Sequence, residues 1–154
     1  MLAADVVEAR NLSAVRRLCL EVFGEGRLDV LEEVVSGGYR NHNAVPGSPP
    51  GREGLAAVVQ MVRTAMPDFR YRIDEELAVG DRVAVRLLAS GTHTGPLLGI
   101  PSTGKSAAWG EAHFFRCEDG VAVEHWGVRD DLGMLQQLGV LPPFGGHLEP
   151  HERA

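Results

Sequence analysis

Two stretches of this 154-residue chain set acids, imidazoles and indoles at the every-other-residue spacing of a β-strand. Between residues 106 and 117, one strand face carries Trp109, Glu111, His113 and Phe115. Two polar groups between aromatic rings suit a pocket wall, where a few polar groups orient a mostly apolar ligand. The alternative is a satisfied core histidine beside a surface glutamate. Between residues 121 and 130, Glu124, Trp126, Val128 and Asp130 share one face, and His125 lies opposite unless a bulge intervenes. A carboxylate beside Trp126 and Val128 in an apolar cup is costly to ionise, so its pKa rises toward a range useful for proton transfer. Asp130 is therefore open between acid/base chemistry and capping the helix that follows, while Asp131 reads as a cap. Tyr39-Arg40-Asn41-His42 adds a further imidazole, His42, either at a pocket mouth or in a loop with no task.

Other chemistries find little support. The histidines have no His-x-x-x-His spacing, and Cys19 and Cys117 form no Cys-x-x-Cys pair, so no metal site is expected. His93, where a strand runs into a long loop, reads as structural. A Gly-x-Ser-x-Gly elbow, a Gly-x-Gly-x-x-Gly turn and the Walker spacing are all missing, so no nucleotide cofactor is expected. The net charge of -6 and a single lysine, Lys105, disfavour binding to phosphate backbones. No leader-like segment or membrane-length apolar run is read, and the expectation is a cytoplasmic protein that does not engage membranes.

The elements that must position these residues follow from periodicity. Apolar residues at helical spacing predict a helix over 4–23, a second over 28–35 stopped by Gly37-Gly38, and a third over 52–65. From Phe69 the period changes to two. Strands are predicted around 69–79, 82–94, 106–117 and 121–129, with turns at Gly80-Asp81 and Asp119-Gly120. A last helix is expected over 132–138. Hydrophobic residues make up 44% of the chain and charged residues 23%, enough for a packed core at this length. The expectation is one α+β domain over residues 1–141, a curved antiparallel sheet forming a cone closed by N-terminal helices. A polar, loose tail follows over 142–154.

The order of several short motifs carries a resemblance. Phe23-Gly24-Glu25-Gly26, Tyr39-Arg40-Asn41-His42, Gly51-Arg52-Glu53-Gly54 and Met66-Pro67-Asp68-Phe69 come first. Gly80-Asp81-Arg82-Val83-Ala84, Gly91-Thr92-His93-Thr94-Gly95 and Gly99-Ile100-Pro101-Ser102-Thr103-Gly104-Lys105 follow, then Val123-Glu124-His125-Trp126, Asp130 and Gln137-Leu138-Gly139. From about residue 10 to 140 this series resembles the SnoaL-like polyketide (ester) cyclases of the ketosteroid-isomerase-like superfamily. The resemblance implies a cone fold and an intramolecular aldol closure of a polyketide ester, with no metal or organic cofactor. It implies Asp130 as acid/base, with His113 and His42 assisting it. Glu111, Trp109, Trp126, Phe115 and Tyr39 would contact a small hydrophobic substrate. At the position of Glu111 the well-known cyclases are expected to carry a neutral amide, so a second carboxylate near Asp130 would be a departure.

Fold cannot settle function. The same residues suit an isomerase, dehydratase or epoxide hydrolase, or a non-catalytic binding module in which Asp130 only caps a helix. Asp130 pointing into an enclosed cavity favours catalysis; Asp130 in solvent favours binding. The resemblance also implies a homodimer or higher homo-oligomer, to which Leu97, Leu98, Ile100, Val140 and Leu141 could contribute apolar contacts unless they pack within the subunit.

Overall fold

Helical periodicity before Pro67 and strand periodicity after it are realised in the computed structural model, which describes residues 2–144. Residues 145–154 of the expected loose tail, with His147 and His151, lie outside the described residues. Helix α1 spans Leu2–Arg17 and continues as a π-helical turn, Leu18–Phe23. A 3-10 turn, Leu28–Val30, leads into the short α2, Leu31–Val34. Strand β1 follows, Val35–Asn41, and α3, Gly51–Ala65. Strands β2 (Arg70–Val79), β3 (Arg82–Thr92), β4 (Ser106–Glu118) and β5 (Val121–Arg129) then form in succession, before α4, Asp131–Gln137.

The five strands make one curved, unclosed sheet in the order β1-β5-β4-β3-β2. The α+β class and the curved sheet match expectation, with one correction: the sheet is mixed. β2, β3, β4 and β5 are antiparallel neighbours, but β1 pairs parallel with β5. A parallel pair needs a long crossover, and here α3 and three strands intervene in sequence. β1 also begins at Val35 and takes in Gly37 and Gly38, which extend a strand here and do not act only as a helix stop.

The tight turns follow their residue types. At the β4–β5 hairpin, Asp119 and Gly120 both take positive φ, 49° and 78°, the conformation that Asp-Gly adopts at least cost. A bulge in β2 between Ile73 and Glu75 reverses which residues face inward: Tyr71 and Ile73 face in before it, Glu76 and Ala78 after it.

Inward residues of the sheet, among them Val83, Val85, Leu87 and Phe115, pack on α1, the π turn, α2 and α3. A second cluster under α4 and the end of α3 contains Met66, Phe69, Ala89, Trp109 and Leu138. The two clusters do not meet everywhere. Between them the concave side of the sheet encloses a cavity of about 400 Å³. The wide π turn matters here, because its register turns Leu18, Cys19 and Phe23 all toward that space.

Candidate active site

The pairing of β4 with β5 decides which side chains reach the cavity. Directly paired residues share a face, and Glu111 pairs with Arg129, His113 with Gly127, and Phe115 with His125. Trp109, Glu111, His113 and Phe115 line the cavity, as the alternation in β4 predicts. On β5 the inward set is His125, Gly127 and Arg129. Tyr39 and Asn41 of β1 and Tyr71 of β2 complete the polar wall.

These residues are joined by hydrogen bonds. Glu111 is buried, and its Oε1 accepts from Trp109 Nε1–H at 2.6 Å. Its Oε2 accepts from Tyr71 O–H at 2.7 Å and lies 2.8 Å from His113 Nε2. His113 Nδ1 lies 2.9 Å from His125 Nε2, and His125 Nδ1 lies 2.9 Å from Asn41 Oδ1. The same Asn41 oxygen accepts the Asn43 backbone N–H, which identifies it as the oxygen end of the amide.

Proton positions follow by elimination from that oxygen. His125 Nδ1 must carry a hydrogen to donate to Asn41. Burial, with the charges of His113, Arg129 and His42, pushes His125 down to about 3, so it is neutral and its Nε2 is a bare acceptor. His113 Nδ1 must then donate to it. One proton is left to share between His113 Nε2 and Glu111 Oε2. Burial alone would raise Glu111, but the bonds from His113, Tyr71 and Trp109 outweigh it and hold the carboxyl below the usual glutamate range. Glu111 therefore faces His113 Nε2 as a carboxylate. Tyr71 is held well above the usual phenol range by burial and by Glu111, so it stays a donor. Cys19, on the same wall, is pushed up to about 12 by burial, which leaves its thiol unreactive.

A carboxylate offers about four acceptor positions, and three are taken on Glu111. The open one is on Oε1, beside an apolar space lined by Leu18, Met61, Phe69 and Leu87. Among the described residues, Glu111 is the only buried carboxylate on the wall, and no three His, Cys, Asp or Glu side chains converge as for a metal ion.

Three residues nominated from the sequence lie elsewhere. Asp130 is exposed, caps α4 by accepting the Gly133 N–H at 2.9 Å, and does not line the cavity. Its place in solvent assigns it to the cap. Asp131 is the first residue of α4 and stands at the cavity mouth, 3.4 Å from Arg129. His42 and Trp126 lie on the opposite face of the sheet, stacked at 4.6 Å, with His42 Nε2 2.8 Å from Glu124. Sequence parity groups Trp126 with Asp130 correctly but assigns that set to the inside. His125, Asn41 and Arg129 are site residues that sequence reasoning misses: His125 and Arg129 share the inward face with His113 through the β4–β5 register, and Asn41 reaches that face by pairing with His125. Replacing Asp130 with Ala should cost about 1 kcal/mol of stability through the lost cap and leave turnover largely intact, checked by urea unfolding beside an activity assay.

The chain is similar to known proteins in sequence and in fold. Residues 13–138 match the family of SnoaL-like polyketide cyclases. The aklanonic acid methyl ester cyclase DnrD of Streptomyces peucetius is 30% identical over 132 residues, covering 84% of this chain and 90% of its own. The nogalonic acid methyl ester cyclase of Streptomyces nogalater is 30% identical over 125 residues, covering 78% and 91%. Among solved structures, TsrD from Streptomyces laurentii superposes with a TM-score of 0.80 at 30% identity, covering 86% of this chain and 97% of TsrD.

Proposed function

The chain belongs to the SnoaL-like polyketide cyclase family, and from that premise we propose that it closes a ring in a polyketide-type ester by intramolecular aldol addition, with Glu111 and His113 as the acid/base pair. The observation that carries this reading is Glu111: a buried carboxylate with one open acceptor position, backed by the His113 ring, on the wall of an apolar cavity.

A methylene flanked by carbonyls is acidic enough for a carboxylate to deprotonate. Glu111 takes that proton at Oε1, and negative charge collects on the neighbouring carbonyl oxygen. Arg129, at the cavity mouth and on the strand position paired with Glu111, supplies positive charge for it. The carbanion carbon attacks the second carbonyl of the same chain, forming the new carbon–carbon bond. The resulting alkoxide recovers a proton from the Glu111–His113 pair, which returns to its starting state. No atoms are gained or lost. The apolar walls hold the two carbons together and exclude water, the share of catalysis that comes from positioning. Ketosteroid isomerase divides the labour in a similar way, between a carboxylate base and hydrogen-bond donors to the oxyanion.

Aklanonic acid methyl ester and nogalonic acid methyl ester, the compounds in the names of the relatives, are suitable probes. Cyclisation should shift chromatographic retention at unchanged mass. A product heavier or lighter by one water would replace this reading with hydration or dehydration, and tight binding with no product would leave a binding module.

Self-association is part of the same proposal. The outer face of the sheet exposes Leu77, Val79, Phe114 and Val128, each more than half accessible, an apolar surface of the kind that partners cover. Leu97, nominated for that role, is instead buried, and with Leu98 and Ile100 it lines the cavity. Light scattering should give the mass of a dimer, and Phe114→Lys should shift it to that of a monomer.

A further inference from the structure

Gly127 stands at an inward-facing position in the middle of β5, directly opposite His113. Glycine weakens a strand interior, and where it occurs there it often marks a close approach by another group. Here that group is the histidine pair. A Cβ on Gly127 would lie 2.6 Å from His113 Nδ1 and 3.1 Å from His125 Nε2, the two atoms joined by the hydrogen bond between the rings. Gly110, inside the neighbouring strand, has nothing within 4 Å of the equivalent point. Neither ring is free to yield. His113 is tied to Glu111 at its other nitrogen, and His125 to Asn41. The backbone N–H of Gly127 is itself held by Asn43 Oδ1 at 2.7 Å. The strand cannot easily retreat.

We propose that Gly127 is a positioning residue: the missing side chain leaves room for the His113–His125 hydrogen bond, and that bond assigns Nδ1 of His113 to a fixed proton so that only Nε2 exchanges one with Glu111. The proposal rests on the reading of Glu111 and His113 as the acid/base pair. The lock is directional. It starts at Asn41 Oδ1, which can only accept, and each ring passes the constraint to the next. With the lock intact, the imidazole of His113 always presents the nitrogen that Glu111 needs. With a methyl group at position 127, one ring must swing aside, and His113 is free to present either nitrogen.

The test separates the lock from the chemistry. In ¹⁵N-labelled wild-type protein, long-range histidine spectra should show Nδ1 protonated on both His113 and His125, with His125 not titrating near neutral pH. In Gly127→Ala the paired signature of His113 should disappear, whereas Gly110→Ala, a matched strand glycine, should keep it. With the ester probe, Gly127→Ala should lower kcat on the order of 100-fold with little change in KM. A retained His113–His125 signature in Gly127→Ala, or a wild-type His113 without a proton on Nδ1, overturns the proposal. If Gly127→Ala does not fold, His125→Phe keeps Gly127 and removes the acceptor; it must erase the same His113 signature, and its persistence also overturns the proposal. A lost signature with unchanged turnover would leave the lock standing and remove Glu111 and His113 from catalysis.

Discussion

Glu111→Gln is expected to cut turnover of the ester probe by roughly 10²–10⁴-fold, with folding and ligand affinity close to those of the unchanged protein. Glutamine keeps the shape. Its carbonyl oxygen can accept from Trp109, and its amide can donate to the Nε2 that His113 then leaves bare. What it removes is the group that takes the substrate proton. Turnover within a few-fold of the original would mean that the proton goes elsewhere and that Glu111 only holds the wall together. Comparing Asp130→Ala under the same conditions distinguishes the buried carboxylate from the one on the helix cap.

Acidification should destabilise the fold well before its carboxylates titrate. His125 accepts a proton near 6.5 when unfolded but only near 3 when folded, where burial opposes the charge. Between those values the unfolded chain binds more protons, so stability is complete above about pH 6.5 and is lost progressively toward pH 3. The span corresponds to a loss on the order of 3–5 kcal/mol. Glu111 adds a loss of the same sign at lower pH, since its folded pKa lies below 4.5 and its stabilisation fades as pH falls through that value. His125→Phe suits the site sterically, because the ring lies 4.9 Å from Phe115 and stacks near Tyr39. Urea midpoints measured from pH 7 to 4.5 should fall steeply for the natural chain and much less for His125→Phe. Parallel slopes would show that His125 is not the buried neutral group.

Much of the architecture was legible because it depends on local period. The helix before Phe23, the helix before Pro67, and the strands that begin at Arg82 and Ser106 lie close to where spacing put them. The inward face of β4 was also legible, since Trp109, Glu111, His113 and Phe115 share one parity whatever the strand pairs with. β5 and β1 were harder. Each has chemically plausible residues on both faces: His125 against Trp126 and Asp130, and Asn41 against His42. Alternation says which residues travel together, but not which set is inside.

That choice is made by contacts far apart in sequence. Asn41 reaches His125 across 84 positions, through a parallel β1–β5 pair whose two strands are separated in sequence by α3 and three other strands. Asp130 follows from the same cause: the inward set of β5 ends at Arg129, so the next residue turns outward and meets the free N–H of Gly133. By itself the sequence determined the α+β class, the turns, the inward face of β4 and membership of a cyclase family, because each rests on short-range pattern or on ordered motifs. Only the tertiary structure decided which carboxylate faces the cavity and which imidazoles touch it, because strand register is a property of the assembled sheet and no single strand contains it.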